Sequence, residues 1–127
     1  MTVSTANGHK ARVVLIVEDE FLVRCGVADE LREAGYIVVE TPSGEEAIAI
    51  CKSDMVIGMV FTDINLIGAA SGWDVGECFQ AARPEVLVLY TSAQAIELER
   101  YVPNGVFIAK PYRHNDILNV CQRLLSK

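Results

Sequence analysis

Short apolar runs alternate with helix-like stretches along almost the whole chain. The first run, VVLIV, contains no polar residue and predicts a strand over Arg12–Val17 that is buried on both faces. The next stretch, about Glu20–Ala34, has the apolar spacing of an amphipathic helix. Gly35 ends this helix because glycine accepts the left-handed conformation favoured at a helix C-terminus. Tyr36–Glu40 predicts a short second strand.

The rest of the chain continues in the same order. The stretch PSGEEAIAICK predicts a helix with Ser43 as its N-cap and Glu46 completing a capping box. Met59–Thr62 predicts the third strand, INLIGAASG a loop, and GWDVGECFQAARP a helix that ends near Pro84. The segments VLVLYTS and VFIAK predict the fourth and fifth strands, AQAIELERYV the helix between them, and HNDILNVCQRLLS the last helix.

Strands that alternate regularly with helices predict an α/β fold, with a parallel sheet covered by helices on both faces. Right-handed crossovers make this a doubly wound (βα)5 domain. The chain has 127 residues, enough for one domain with its own core. We expect that domain over residues 12–127, preceded by a flexible polar tail over residues 1–11.

Charge and cysteine content narrow the function classes. The net charge is −6 and no cluster of Lys and Arg is present, which argues against nucleic-acid binding. The apolar runs are too short to span a bilayer, and the polar start predicts no export signal. The four cysteines lack the spacing of a metal site. We therefore expect a cytoplasmic protein with reduced thiols and no membrane insertion.

The candidate chemistry stands at the carboxyl ends of the predicted strands, where doubly wound sheets form their sites. Glu18 and Asp19 follow the first strand, and Asp63 follows the third. Ser92 follows the fourth strand, and Lys110 ends the fifth. Like charges repel, and their burial costs several kcal/mol unless a cation compensates them. Glu40 and Thr41, at the end of the second strand, are interpreted as peripheral.

A site of this composition suits phosphoryl chemistry. Clustered carboxylate oxygens are ligands for a hard cation, Mg²⁺ or Mn²⁺. Lys110 is a point charge for an anionic oxygen, and a hydroxyl can donate to another. The Ser-Ala step favours Ser92 over Thr91 for this hydroxyl. Such an arrangement is expected if Asp63 itself forms a covalent bond to a phosphoryl group.

The fragments LIVED, FTD, LYTSA and FIAKPY, in this order and spacing, resemble the receiver domain of two-component response regulators. The resemblance covers about Arg12–Leu125. It implies a flavodoxin-like fold, a five-stranded sheet of order 2-1-3-4-5. It also implies that Asp63 is the phospho-acceptor, which receives its group from a histidine kinase or a histidine phosphotransfer protein.

The resemblance further assigns ligands for the cation. Asp19 is implied as a direct ligand of Mg²⁺ together with Asp63, and Glu18 as a ligand through water. The backbone carbonyl of Asn65 is implied as a further ligand.

The resemblance also implies which residues bind the phosphoryl group and which change conformation when it is present. Lys110 is implied to bind the phosphoryl oxygens, and its peptide bond to Pro111 is expected to be cis. Ser92 matches the switch hydroxyl, and Phe107 matches the switch aromatic residue.

Four positions depart from the usual family pattern. Glu18 stands where Asp is commoner, and Phe107 stands where Tyr is frequent. Ile67 occupies the position of a usual proline, four residues after Asp63, and Gly72 comes one residue later than usual. These departures bear on loop rigidity and phosphoryl lifetime rather than on the acceptor role.

The chain ends at Lys127 without room for an effector domain. Output is therefore expected through contact with a downstream protein or as a phosphate sink.

Three other functions are weighed against this one. A haloacid-dehalogenase-type phosphatase needs an acid two residues after its nucleophile, where this chain has Asn65. A degenerate receiver that only binds would not need the full acid set and Lys110. A flavin-binding module needs a Ser/Thr/Gly-rich phosphate loop after the first strand, where EDEF would repel phosphate. The protein is thus not expected to be an enzyme that turns over free substrates.

Aromatic and apolar residues near the predicted site have competing interpretations. Trp73 is interpreted as a packing residue rather than a binding residue. Phe21 and Leu22 fit equally well as half-exposed packing residues and as a docking surface for a kinase.

Overall fold

The computed structural model describes residues 12–93, 103 and 105–125. These residues form five strands and four helices: β1 (Val13–Val17), α1 (Phe21–Glu33), β2 (Ile37–Thr41), α2 (Gly44–Cys51), β3 (Met59–Asp63), α3 (Gly72–Ala82), β4 (Leu87–Ser92), β5 (Gly105–Ala109) and α4 (His114–Leu125). The expected N-terminal tail lies outside the described residues. So does the helix predicted over AQAIELERYV, apart from Ala93.

The strands form one parallel sheet of order β2-β1-β3-β4-β5. This confirms the predicted doubly wound architecture and its flavodoxin-like strand order. The order also places the carboxyl ends of β1 and β3 side by side, because these two strands pair directly in the register Val17 to Thr62. Residues that directly follow β1 therefore lie beside Asp63.

The boundary between α1 and β2 differs slightly from the prediction. We expected the second strand at Tyr36–Glu40, and it lies one residue later. Tyr36 N–H donates to Leu31 O at 3.0 Å and so still closes the end of α1. Ile37 N–H is the first of this strand to reach β1, with Arg12 O at 2.9 Å.

Helix capping also differs from the prediction. Ser43 is the N-cap of α2, and its Oγ accepts from Glu46 N–H at 3.2 Å, which is the serine half of the expected box. A complete capping box occurs instead at α3. There Ser71 Oγ accepts from Asp74 N–H at 3.3 Å, and Asp74 Oδ2 accepts from Ser71 N–H at 2.8 Å.

One apolar core lies on each face of the sheet. The first is centred on Leu15, Phe79 and Tyr90, and the second on Ile16, Leu31 and Leu89. The uninterrupted VVLIV run fills both, because alternate residues of a strand point to opposite faces.

Trp73 is buried in the first core, and its ring lies 4.8 Å from that of Tyr90. The packing interpretation of Trp73 is therefore confirmed. None of the four helices over the described residues has the length and apolar character needed to cross a bilayer.

Candidate functional site

Three carboxylates meet at the carboxyl edge of the sheet, as the sequence predicts. Glu18, Asp19 and Asp63 each offer one oxygen, and these oxygens lie within 4.8 Å of one another. Glu18 is 3% exposed and Asp63 is 6% exposed, whereas Asp19 is only partly buried. Two of the three acids are thus removed from water. In the protein interior the repulsion between their charges is only weakly screened.

Lys110 is the cation that the structure places against this cluster. Its Nζ lies 2.8 Å from Asp63 Oδ2 and 3.9 Å from Glu18 Oε1. The backbone N–H of Lys110 donates to Ser92 O at 3.0 Å, which ties the end of β5 to the end of β4. The Lys110–Pro111 peptide bond is cis, as expected.

The pKa values of Lys110 and Glu18 are both raised at this site, which favours the charged form of the lysine and the neutral form of the glutamic acid. Burial opposes the charge on Lys110, but the hydrogen bond and attraction of Asp63, with Glu18, outweigh it and raise the pKa of the amine. Burial raises the pKa of Glu18 to about 7, and the charge of Asp63 adds to this increase. The bond from Glu20 N–H to Glu18 Oε2, 3.0 Å long, opposes the shift without cancelling it. Burial therefore favours the protonated form of Glu18 even though Lys110 lies 3.9 Å away.

Two residues that bind the backbone of Glu18, and a third that pairs with one of them, were not predicted. Glu18 N–H donates to Thr41 O at 3.1 Å. Arg24 donates from its guanidinium to Glu18 O at 2.8 Å, and its Nε lies 3.4 Å from Glu40 Oε1. The interpretation of Glu40 and Thr41 as peripheral is wrong, because β2 pairs directly with β1 and its carboxyl end supports Glu18. The sequence feature that could have predicted this support is the pair of polar residues that end β2, the strand beside β1.

Asn65 connects the Asp63 carboxylate to Ser92. Its backbone N–H donates to Asp63 Oδ1 at 3.2 Å, and its side-chain Nδ2 donates to Ser92 Oγ at 3.2 Å. Ser92 is buried at the end of β4, and these contacts bring it to the site. The role of the Asn65 carbonyl as a ligand stays a prediction. Thr91 Oγ1 is buried without a hydrogen-bond partner among the described residues.

The start of α3 lies directly against the site. Gly72 N–H donates to Ile64 O at 2.8 Å and closes the loop that follows β3. A Cβ on Gly72 would overlap the carbonyl oxygen of Asp63. Glycine is therefore required here by close approach, and the late glycine noted in the sequence fixes how α3 packs on Asp63.

Two aromatic side chains lie on β5 and just after it. Phe107 is half-buried on β5, where its register partner is Tyr90 of β4, and it packs against the first core. Tyr112 was missed by sequence reasoning; its ring meets the ring of Phe61 edge-on at 5.7 Å. Burial, with the nearby charges of Glu18 and Asp63, raises the pKa of Tyr112 to about 12, so its hydroxyl stays protonated.

Phe21 and Leu22 open α1 beside the acids, with exposed fractions of 64% and 81%. The half-exposed packing interpretation is wrong for Leu22, which lies almost entirely in solvent. A docking role for the two side chains stays a prediction.

The comparison with known families agrees with this geometry. The sequence model of the response regulator receiver domain matches residues 14–122, which is most of the chain. The chain belongs to the response regulator receiver domain family. Receiver domains are signalling modules of two-component systems, so the predicted family is confirmed.

Individual receiver proteins show how far the similarity extends. The two-component response regulator ORR3 of Oryza sativa subsp. indica is 26% identical over 120 residues, which are 90% of this chain and 91% of that protein. The transcriptional regulatory protein PdtaR of Mycobacterium tuberculosis is 30% identical, and the match covers 100% of this chain and 64% of PdtaR.

A solved structure of a response regulator receiver protein from Sinorhizobium medicae has a TM-score of 0.83 and 28% identity, covering 90% of this chain and 94% of that one. The receiver similarity therefore extends through sequence and fold alike.

Proposed function

We propose that this protein is a phospho-accepting receiver of a two-component system or phosphorelay, and that Asp63 accepts the phosphoryl group. The observation that carries the proposal is the contact of Lys110 Nζ with Asp63 Oδ2, at the centre of a cluster of three acids. The donor is a phosphohistidine of a histidine kinase or histidine phosphotransfer protein. We propose residues 12–127 as the receiver domain and the cytoplasm as its location.

The acid cluster fits a hard divalent cation, Mg²⁺ or Mn²⁺. Its three carboxylate oxygens are close enough to share one ion. Burial, with the charge of Asp63, raises the pKa of Glu18, so a nearby cation would favour its charged form. Asp19, Asp63 and the Asn65 carbonyl would hold the ion directly, and Glu18 would act through water. When bound, the ion supplies positive charge beside the phosphoryl oxygens and neutralises the cluster.

The reacting groups of the chain have distinct roles in the transfer. A carboxylate oxygen of Asp63 forms the new bond to phosphorus as the bond from phosphorus to the histidine nitrogen breaks, and the imidazole keeps the bonding electrons. Asn65 N–H, 3.2 Å from Asp63 Oδ1, orients the carboxylate. Lys110 neutralises negative charge on the transferred group. Positioning and charge account for the rate, as expected for phosphoryl transfer.

Phosphorylation of Asp63 changes the surface through Ser92 and Phe107. Ser92 Oγ now accepts from Asn65 Nδ2 at 3.2 Å, and it would turn to donate to a phosphoryl oxygen. Phe107, already half-buried against the first core, would move further in, because burial of an aromatic ring is favourable. Output then follows by contact with a downstream protein, or the domain acts as a phosphate sink.

The acceptor assignment is tested by labelling with acetyl phosphate and Mg²⁺. Asp63→Asn keeps the shape of the side chain and removes its nucleophilic charge, so labelling should fall to background. Asp29→Asn, at an exposed position on α1, is the matched control and should label at the wild-type rate. Labelling of Asp63→Asn at that rate would contradict the assignment.

The coupling is tested with beryllofluoride and Mg²⁺, which imitate the phosphorylated state. NMR shifts beyond the site should concentrate on residues 92–112. Ser92→Ala should still accept phosphate but lose most of these shifts. Shifts confined to the neighbours of Asp63, or unchanged in Ser92→Ala, would leave the phosphate sink as the better conclusion.

A phosphatase of the haloacid dehalogenase type is the second candidate. Its required acid position holds Asn65, whose amide is engaged with Ser92 Oγ. We therefore expect no turnover of p-nitrophenyl phosphate by the wild-type protein, and steady turnover would favour this alternative.

A further inference from the structure

The loop between β3 and α3 contacts two carboxylates through its backbone. Ile67 N–H donates to Asp19 Oδ2 at 2.8 Å, and Ala69 N–H donates to Glu45 Oε2 at 2.9 Å. Asp19 belongs to the acid cluster, whereas Glu45 lies in the first turn of α2. The two bonds therefore attach one loop to two different elements.

The donor at Ile67 exists because this chain departs from the family pattern. Proline is usual four residues after the acceptor Asp, and proline has no backbone N–H to donate. With Ile67 in that place, one oxygen of Asp19 is bound by the loop. The other oxygen is left for a cation.

The contact with Glu45 is equally close. Gly68 turns the chain between the two donors with a φ of 113°, a conformation that disfavours residues with a Cβ. A Cβ at Gly68 would lie 2.9 Å from Glu45 Oε2, so the carboxylate fits tightly against the turn. The hydrogen bond from Ala69 N–H is the main cause that lowers the pKa of Glu45, which keeps the acceptor charged.

We propose that Glu45 is a positioning residue for the cation site, acting through the Ile67 N–H on Asp19. Glu45 holds the loop at Ala69, and the held loop keeps Ile67 N–H on Asp19 Oδ2. The Asp19 carboxylate is thereby fixed in orientation before the ion binds. The inference rests on the proposed function, since it concerns the affinity of the same site.

The first test compares Glu45→Ala with Glu46→Ala. Both residues are exposed acids in the first turn of α2, and Glu46 is the matched control for loss of one charge. Calorimetry should show that Glu45→Ala raises the Kd for Mg²⁺ about fivefold, less than the loss of about tenfold or more expected when a residue bonded to a ligand is removed. Glu46→Ala should leave the Kd within about twofold of wild type, as expected for an exposed charge that is screened by salt.

The second test asks whether Glu45 acts through Asp19. Introduced into Asp19→Ala, the Glu45→Ala change should have no further effect on the Kd, because its target is already gone. Ile67→Pro, which removes the donor, should raise the Kd as Glu45→Ala does. Ile67→Ala keeps the N–H and should raise the Kd less than Ile67→Pro.

Amide hydrogen exchange in the metal-free protein separates this inference from the proposed function. Exchange at Ile67 and Ala69 should accelerate in Glu45→Ala and stay unchanged in Glu46→Ala. Equal Mg²⁺ affinity in both variants, or faster exchange without a change in Kd, overturns the positioning role. A wild-type protein that binds no Mg²⁺ overturns the proposed function and this inference with it.

Discussion

Charged side chains are well partnered at the amino edge of the sheet but crowded with like charges at its carboxyl edge. At the amino edge, Arg83 donates to the carbonyl oxygens of Ile50 and Ser53 at 3.1 and 2.7 Å and also to Met55 O, while Arg12 lies 5.4 Å above the ring of Tyr36. These two arginines meet carbonyl oxygens or an aromatic face. At the carboxyl edge, three carboxylates share one lysine.

The contacts at the amino edge contribute to stability, whereas the acid cluster at the carboxyl edge is the proposed functional site. The amino edge gains hydrogen bonds from each arginine and leaves its loops closed against the sheet. The carboxyl edge brings like charges together, and their repulsion is relieved by a bound cation or by protonation of Glu18. Perturbed charges of this kind are typical of functional sites. Changes at the two edges should therefore have different consequences for stability and for Mg²⁺ binding.

The largest expected effect is on Mg²⁺ affinity at the carboxyl edge. Asp19→Ala should raise the Kd for Mg²⁺ by about a hundredfold, or about 2.7 kcal/mol, because Asp19 is proposed as a direct ligand. Glu18→Ala should raise it only about tenfold, since this acid is expected to act through water. Titration calorimetry of both variants measures the two losses. Equal losses would show that the two acids share the ion.

The next effect is a pH dependence of stability. Without a cation, the pKa of Glu18 rises from 4.5 to about 7 on folding, mainly through burial, so folding favours its protonated form. The stability gained from the protonated form is complete below pH 4.5 and is lost as the pH rises through about 7, a change of at most about 3 kcal/mol. Urea unfolding of metal-free protein across this range should show the decline.

Two controls accompany that measurement. Glu18→Gln cannot titrate and should flatten the decline. Saturating Mg²⁺ should also reverse it, because the ion favours the charged acids and stabilises the folded state by mass action. A decline that persists unchanged in Glu18→Gln would assign it to another group.

The smallest effect belongs to the amino edge. Arg83→Ala should lower the free energy of unfolding by about 1 to 2 kcal/mol, because three carbonyl oxygens lose a charged donor while water replaces part of it. Arg83→Lys keeps the charge but not the forked donor geometry and should recover only part of this loss. The Kd for Mg²⁺ should be unchanged in both. A large change in that Kd would contradict the conclusion that the amino edge affects stability alone.

The sequence pattern was sufficient for the five strands and for the residues at their carboxyl ends, and the strand order followed from the resemblance to receiver domains. Uninterrupted runs such as VVLIV and MVF mark buried strands, and the acids, Ser92 and Lys110 stand directly at strand ends, where topology decides their neighbours. The unpredicted contacts involve backbone groups: Ile67 N–H on Asp19, Ala69 N–H on Glu45, and the carbonyl oxygens around Arg83. Every residue except proline carries the same N–H and C=O, so a sequence does not distinguish the ones that a fold uses.

The bond between Ile67 N–H and Asp19 has a consequence for how the domain communicates. The side chain of Ile67 is 79% exposed, while its backbone amide holds a carboxylate of the proposed ion site. A protein that contacts Ile67 and prefers one arrangement of its loop would thereby change the affinity for the ion. Thermodynamic linkage requires the ion to change the affinity for that protein by the same factor. Binding of the ion and binding of a protein at Ile67 would then be coupled by a single free energy that either measurement can determine.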